Sequence, residues 1–242
     1  MLTATLLFAW LTSGGTTLVA RRPAHVPADP PRILNVVRQK LKPGTSHSYE
    51  SLETAIVAAF EQARVPLFWI MLQSRTDATD IVYLNVADSL EEWNELPARY
   101  RKAVAAHPEL EKMSARLATF IERTTSTLTT RRNEIPFSRT GIDLQTMRAM
   151  RLTVFEISPG HEGRFVNAAR GASDRAAPWL LYEANDAPTF MLVTPLRTAK
   201  HAKASALPHR LQGLKGDGTP SADGVYAVRL HMSRPPKGWM VR

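Results

Sequence analysis

The chain carries the same strand-ending punctuation twice. Arg38-Gln39-Lys40-Leu41-Lys42-Pro43-Gly44 closes one β-rich stretch, and Glu156-Ile157-Ser158-Pro159-Gly160 closes another. Tyr49 lies as far beyond the first Pro-Gly as Phe165 lies beyond the second. Proline cannot donate to a sheet ladder and glycine tolerates the reversal that follows, so Pro-Gly is suited to leaving a strand. Two such exits in matching contexts predict a duplicated unit.

Residues 1–20 hold an apolar run, Leu2 to Leu11, followed by Gly14-Gly15 and Val19-Ala20, and read as a secretory signal peptide. Residues 21–32 carry four prolines and read as an extended linker. A first unit is expected over 33–132. It begins with strand Ile33–Leu41 and a helix buried through Tyr49, Leu52, Ile56, Phe60 and Ala63. Strands at Phe68–Leu72 and Ile81–Val86 follow as a hairpin. The next helix carries Leu90, Trp93 and Leu96 and is disturbed at Pro97; another starts at Pro108. Threonine-rich Ser126–Arg131 closes the unit as a strand. After a connector over 133–148, a second unit over 149–233 repeats the order less cleanly, with a helical stretch at His201–Leu214 interrupted by Pro208. Residues 234–242 form a basic tail. The order β-α-β-β-α-β, read twice, makes the chain an α+β protein of two tandem ferredoxin-like units packed as an intramolecular barrel.

Composition narrows the function classes. The net charge of +9 is spread along the chain, without a zinc-finger spacing, an RNA-binding signature or a long basic run, so no nucleic-acid partner is assigned. There are no cysteines, which removes disulfides, thiolate catalysis and cysteine-ligated metals. The seven histidines show no metal-ligand spacing, and GxSxG, GxGxxG and Walker patterns are absent. Neither a metal nor a cofactor is assigned.

The strand ending Leu41-Lys42-Pro43-Gly44 and the run Tyr83-Leu84-Asn85-Val86-Ala87-Asp88-Ser89-Leu90-Glu91-Glu92-Trp93 resemble the dimeric α+β-barrel superfamily, which includes NIPSNAP-like proteins and antibiotic-biosynthesis-type monooxygenases. The resemblance implies two four-stranded sheets packed face to face, here supplied by one chain as a monomeric internal pseudo-dimer. It also implies Trp93 and His107 as candidate haem-site residues, by similarity to haem-degrading members. On the residues alone, Trp93 fits a helix–sheet core and His107 an exposed helix end.

Aligning Pro43 with Pro159 sorts the strands into two faces. Leu34, Val36 and Arg38, with Met150, Leu152 and Val154, form the more apolar set and are assigned to the helix side. Asn35, Val37, Gln39, Tyr83, Asn85, Arg151, Phe155 and Met191 then line the barrel interior as a small-ligand cavity. Arg151 is the candidate for holding an anionic group, or for pairing internally with Glu183 or Glu156. The functional expectation is an exported (secreted or periplasmic) small-ligand-binding barrel, with no membrane association after signal cleavage. Its alternatives are a cofactor-independent oxygenase acting in that cavity and a non-catalytic scaffold.

Overall fold

A computed structural model describes residues 30–135 apart from 64 and 66, and residues 147–173, 179–198, 211 and 220–231. The signal-like run, most of the linker, residues 136–146 of the connector, the helical stretch 201–214 except Leu211, and the basic tail lie outside the described residues. The elements are β1 (Ile33–Leu41), α1 (Ser46–Gln62), β2 (Trp69–Ser74), β3 (Asp80–Ala87), α2 (Leu90–Ala106), α3 (Pro108–Ala118), β4 (Ile121–Arg131), β5 (Ala149–Glu156), α4 (Glu162–Ser173), β6 (Leu180–Ala184), β7 (Thr189–Leu196) and β8 (Pro220–His231).

Both Pro-Gly exits form as expected. Gly44 and Gly160 take φ values of +78° and +87°, which an L side chain rarely adopts. Thr45 N–H donates to the Lys42 carbonyl at 3.3 Å and His161 N–H to the Ser158 carbonyl at 3.0 Å. Each is a reversal with proline second and a left-handed glycine third, the type II pattern. The helices after them start alike: Tyr49 N–H reaches the Thr45 carbonyl, and Phe165 N–H reaches that of His161.

Pro97 does not interrupt α2, which runs unbroken from Leu90 to Ala106. Proline removes one backbone bond, but Trp93, Leu96 and Tyr100 are buried along the same face and hold the helix on the sheet. Its start is well capped. The Ser89 hydroxyl accepts from Glu92 N–H at 3.1 Å, and the Glu92 carboxylate accepts from Asp88 N–H at 2.8 Å.

The eight strands close into an antiparallel barrel in the order β1-β3-β2-β8-β5-β7-β6-β4. The first half contributes β4-β1-β3-β2 and the second β8-β5-β7-β6, the same relative order. Where the resemblance implied two sheets facing each other, their edges are also hydrogen-bonded: β2 to β8 over Ile70–Ser74, and β4 to β6 over Thr129–Arg131.

The face assignment inverts on β1, β3 and β5 and holds on β7, where Met191 faces the interior. Leu34, Val36, Ile70, Leu72, Val82, Leu84 and Val86 meet Met150, Leu152, Leu180, Tyr182, Met191, Val193 and Tyr226 in one buried cluster on the barrel axis. Eight strands leave an interior just wide enough for side chains to fill, so this is a packed apolar core rather than a ligand cavity. The other face of the first sheet, with Ile33, Val37, Trp69, Met71, Ile81 and Tyr83, packs under α1, α2 and α3. The corresponding face of the second sheet packs Phe155, Phe190 and Leu192 against Phe165, Val166 and Ala169 of α4.

One glycine is required by the axial core. A Cβ on Gly224 would stand 2.7 Å from the Tyr226 ring. Gly224→Ala should therefore displace that ring and cost about 1–3 kcal/mol in urea unfolding. An unchanged midpoint would show that Tyr226 moves aside freely.

Candidate functional site

The helix face of the first sheet carries a row of polar groups that hydrophobic packing does not explain. Asn35 pairs across the ladder with Asn85, and Asn85 with Trp69, so the three side chains stand side by side on β1, β3 and β2. All three are buried, at 0%, 4% and 2% exposure. The Asn35 carbonyl oxygen accepts from the Ser126 hydroxyl at 2.8 Å. Among the described residues, Asn35 Nδ2, Asn85 Nδ2 and Trp69 Nε1 have no hydrogen-bond partner. A buried donor left unpaired costs about 1–3 kcal/mol, so three in one row are an expensive arrangement for a purely structural face.

One row along, Val37 pairs with Tyr83 and Tyr83 with Met71; the row beyond joins Gln39 to Ile81. α1 lies over these rows. The Tyr49 hydroxyl donates to Gln39 Oε1 at 2.6 Å and lies 2.5 Å from the Tyr83 hydroxyl. A phenol has one proton to give. With that of Tyr49 engaged by Gln39, Tyr83 is the donor to Tyr49, and the chain runs Tyr83 to Tyr49 to Gln39. Burial raises both phenols well above the ordinary tyrosine range, with the charge of Glu53 adding to the effect.

Glu53 stands one helical turn after Tyr49. It is fully buried, and among the described residues neither carboxyl oxygen has a hydrogen-bond partner. Burial pushes its pKa up to about 7. The nearby Tyr83 hydroxyl and Trp69 indole oppose the shift, without reaching hydrogen-bond geometry. The arrangement therefore places a carboxyl that changes charge near neutral pH beside a row of unpaired N–H donors.

Five residues expected at the interior, Asn35, Val37, Gln39, Tyr83 and Asn85, thus stand together on the helix side of the first sheet. Met191 does face the interior, as part of the axial core. Phe155 lies on the helix side of the second sheet, against Phe165 at 5.0 Å. Arg151 shares that side of the ladder and is engaged by Asp223, through Nε at 2.8 Å and Nη2 at 2.5 Å, rather than by Glu183 or Glu156. Thr153 also donates to Asp223, at 2.8 Å. Glu183 belongs instead to Arg132. Trp93 is buried among the helices and the first sheet, while His107 caps α3 and meets the Glu109 carboxylate at 3.3 Å. The two are fourteen residues apart, on α2 and at its C-terminal cap, about 20 Å along an α-helix.

Among the described residues no three His, Asp or Glu side chains gather to hold a metal. An open groove of about 600 Å³ lies at the β4–β6 seam beside Arg32, Arg131 and Arg132. Arg132 is engaged by Glu134 and Glu183, and Arg131 by Asn133 and the Pro30 carbonyl. Sequence reasoning missed Glu53. Tyr49, Glu53, Ile56 and Phe60 form a helical stripe in their own right, and a lone carboxyl within such a stripe was the available signal.

No protein-family model and no curated protein matches the chain. Solved structures do. A candidate monooxygenase from Lactobacillus acidophilus superposes with a TM-score of 0.56 at 10% identity, covering 86% of this chain and 98% of that one. One from Fusobacterium nucleatum gives 0.60 at 12%, covering 86% and 96%. An anthrone oxidase-like protein gives 0.56 at 9%, covering 87% and 96%. At these identities the likeness is one of fold: the chain is an eight-stranded antiparallel α+β barrel, and those structures are similar to it in fold.

Proposed function

We propose that this protein binds a small organic molecule between the first sheet and α1–α2, and that it is an oxygenase-type enzyme needing no cofactor. The observation that carries the reading is the row of unpaired donors on Asn35, Asn85 and Trp69, which suits the oxygen atoms of a flat ligand lying against the sheet. The fold relatives described as candidate monooxygenases and as anthrone oxidase-like support the reaction class. Applied here, an activated methylene between aromatic rings would react with one dioxygen to give a ketone and one water. One oxygen atom becomes the ketone oxygen and the other leaves in the water, while the methylene supplies both hydrogens and the electrons.

The test is oxygen uptake with 1,8-dihydroxyanthrone, corrected for its spontaneous oxidation. Saturable uptake is expected, lowered about 100-fold in Asn85→Ala, the scale of losing one donor to a developing oxyanion. A protein that neither binds nor oxidises the anthrone sinks the proposal. The near-complete burial of the row favours a second reading, a binder without turnover. It would show a saturable rise in Tm with no oxygen uptake.

We further propose that the two halves descend from one duplicated unit, with the row of unpaired donors present in the first. The matching strand orders and the two left-handed Pro-Gly turns support this history.

A further inference from the structure

We propose that Glu53 is the proton acceptor of this site, and that its substrate is a weak carbon or oxygen acid whose conjugate base carries its charge on oxygen. The inference rests on the site reading above and adds the group that moves the proton.

Three observations carry it. First, Glu53 has no structural work that the structure can identify. It is fully buried, both carboxyl oxygens are unpartnered, and among the described residues no basic side chain pairs with it. A buried carboxyl held only for stability would have partners.

Second, the fold does not require a carboxyl at that place. Four residues after the aromatic that opens α4, the position matching Glu53 is Ala169, fully buried beside Phe165. Phe155 and Phe190 complete that packing, with ring centroids 5.0 and 4.8 Å from Phe165. The packing around that helix-opening aromatic is thus made by apolar groups in the second half. The first half departs from it with Gln39, Tyr49 and Glu53 together.

Third, the neighbours suit both protonation states. The titratable groups facing Glu53 are Tyr49 on its own helix, Tyr83 from β3 and Tyr100 from α2, all held above the ordinary tyrosine range by burial, so they stay neutral around it. Because Tyr83 donates to Tyr49 and Tyr49 to Gln39, Tyr83 keeps oxygen lone pairs free to accept from a protonated Glu53. On the other side, Trp69 Nε1 and the Asn85 and Asn35 amides are positioned to hold the oxygen on which the substrate's charge settles.

The step balances simply. The substrate's C–H or O–H bond breaks, the proton passes to a Glu53 carboxylate oxygen, and the electron pair remains on the substrate as an enolate or phenolate. With a carboxyl that ionises near pH 7, the base form grows as pH rises and is complete above that value.

The test uses 5-nitrobenzisoxazole with the full chain. Loss of the ring C–H proton from this flat probe breaks its N–O bond and releases a coloured cyanophenolate, so proton abstraction is read directly. The protein should accelerate the reaction over buffer, with a rate that rises through about pH 7 and then levels. Glu53→Gln should lose about 100-fold, and Glu53→Asp should recover a measurable part. No acceleration by the wild type, or an unchanged rate in Glu53→Gln, overturns the proposal. A parallel Tm titration with 5-nitroindazole, which has no cleavable N–O bond, separates the two readings. Binding lost in Asn85→Ala without Glu53-dependent elimination would leave the site standing and remove Glu53 from it; neither binding nor elimination would overturn both.

Discussion

Glu53→Gln should be more stable than the wild type by about 3 kcal/mol at pH 8 and nearly equal to it at pH 4. The folded protein holds this carboxyl at about 7, against 4.5 for a free glutamate side chain. A raised carboxyl binds its proton more tightly when folded, so its stabilising effect is fully present below the unfolded value. Between pH 4.5 and about 7 the unfolded chain ionises while the folded one resists, and stability falls as pH rises through that window. Above it both forms are charged and the loss is complete. Each pH unit of the window is worth about 1.4 kcal/mol, which sets the size. Glutamine imitates the neutral acid at every pH, so the difference between the two proteins isolates the burial of the charge. Guanidinium unfolding of both at pH 4 and pH 8 measures it. A difference that does not change with pH would mean that Glu53 titrates normally, in contact with solvent.

The turns and the strand order were legible because their chemistry is local. Pro43-Gly44 and Pro159-Gly160 announce left-handed reversals whatever surrounds them, and β1 and β3 lie within a residue of where their β-branched runs place them. The faces were not legible, for a physical reason. In Ile33–Leu41 only Arg38 and Lys40 escape burial, because the barrel core covers one face and helices cover the other. Alternation assigns a face only when one side is wet, and here both are dry. The polar members Asn35 and Gln39 then look like cavity lining, when the small closed barrel is filled and the polar groups lie under α1. Glu53 escaped notice for a related reason. The helical stripe can be drawn through Leu52 or through Glu53, and hydrophobicity favours Leu52, yet Leu52 is half-buried and Glu53 is fully enclosed.

The first half expressed alone, residues 30–135, should be a homodimer or insoluble, and not a monomer. Cutting the chain there uncovers Leu34, Val36, Ile70, Leu72, Val82, Leu84 and Val86, now all within the axial core. Seven contiguous apolar side chains on one open sheet face favour association over a free monomer. The cut also frees the edges of β2 and β4, which now pair with β8 and β6. These edges offer a defined way to close. In the order β8-β5-β7-β6, β8 occupies the place of β4 and β6 the place of β2. Two copies of the first half can therefore rebuild both seams by joining β2 of each to β4 of the other, a two-fold arrangement that covers both apolar faces at once. Light scattering after size exclusion should give twice the fragment mass, while the full-length chain, whose second half already covers that face, should run as a monomer. A soluble monomeric fragment with native-like unfolding would show that the first sheet does not depend on the axial core, and the helix side alone would then have to account for its stability.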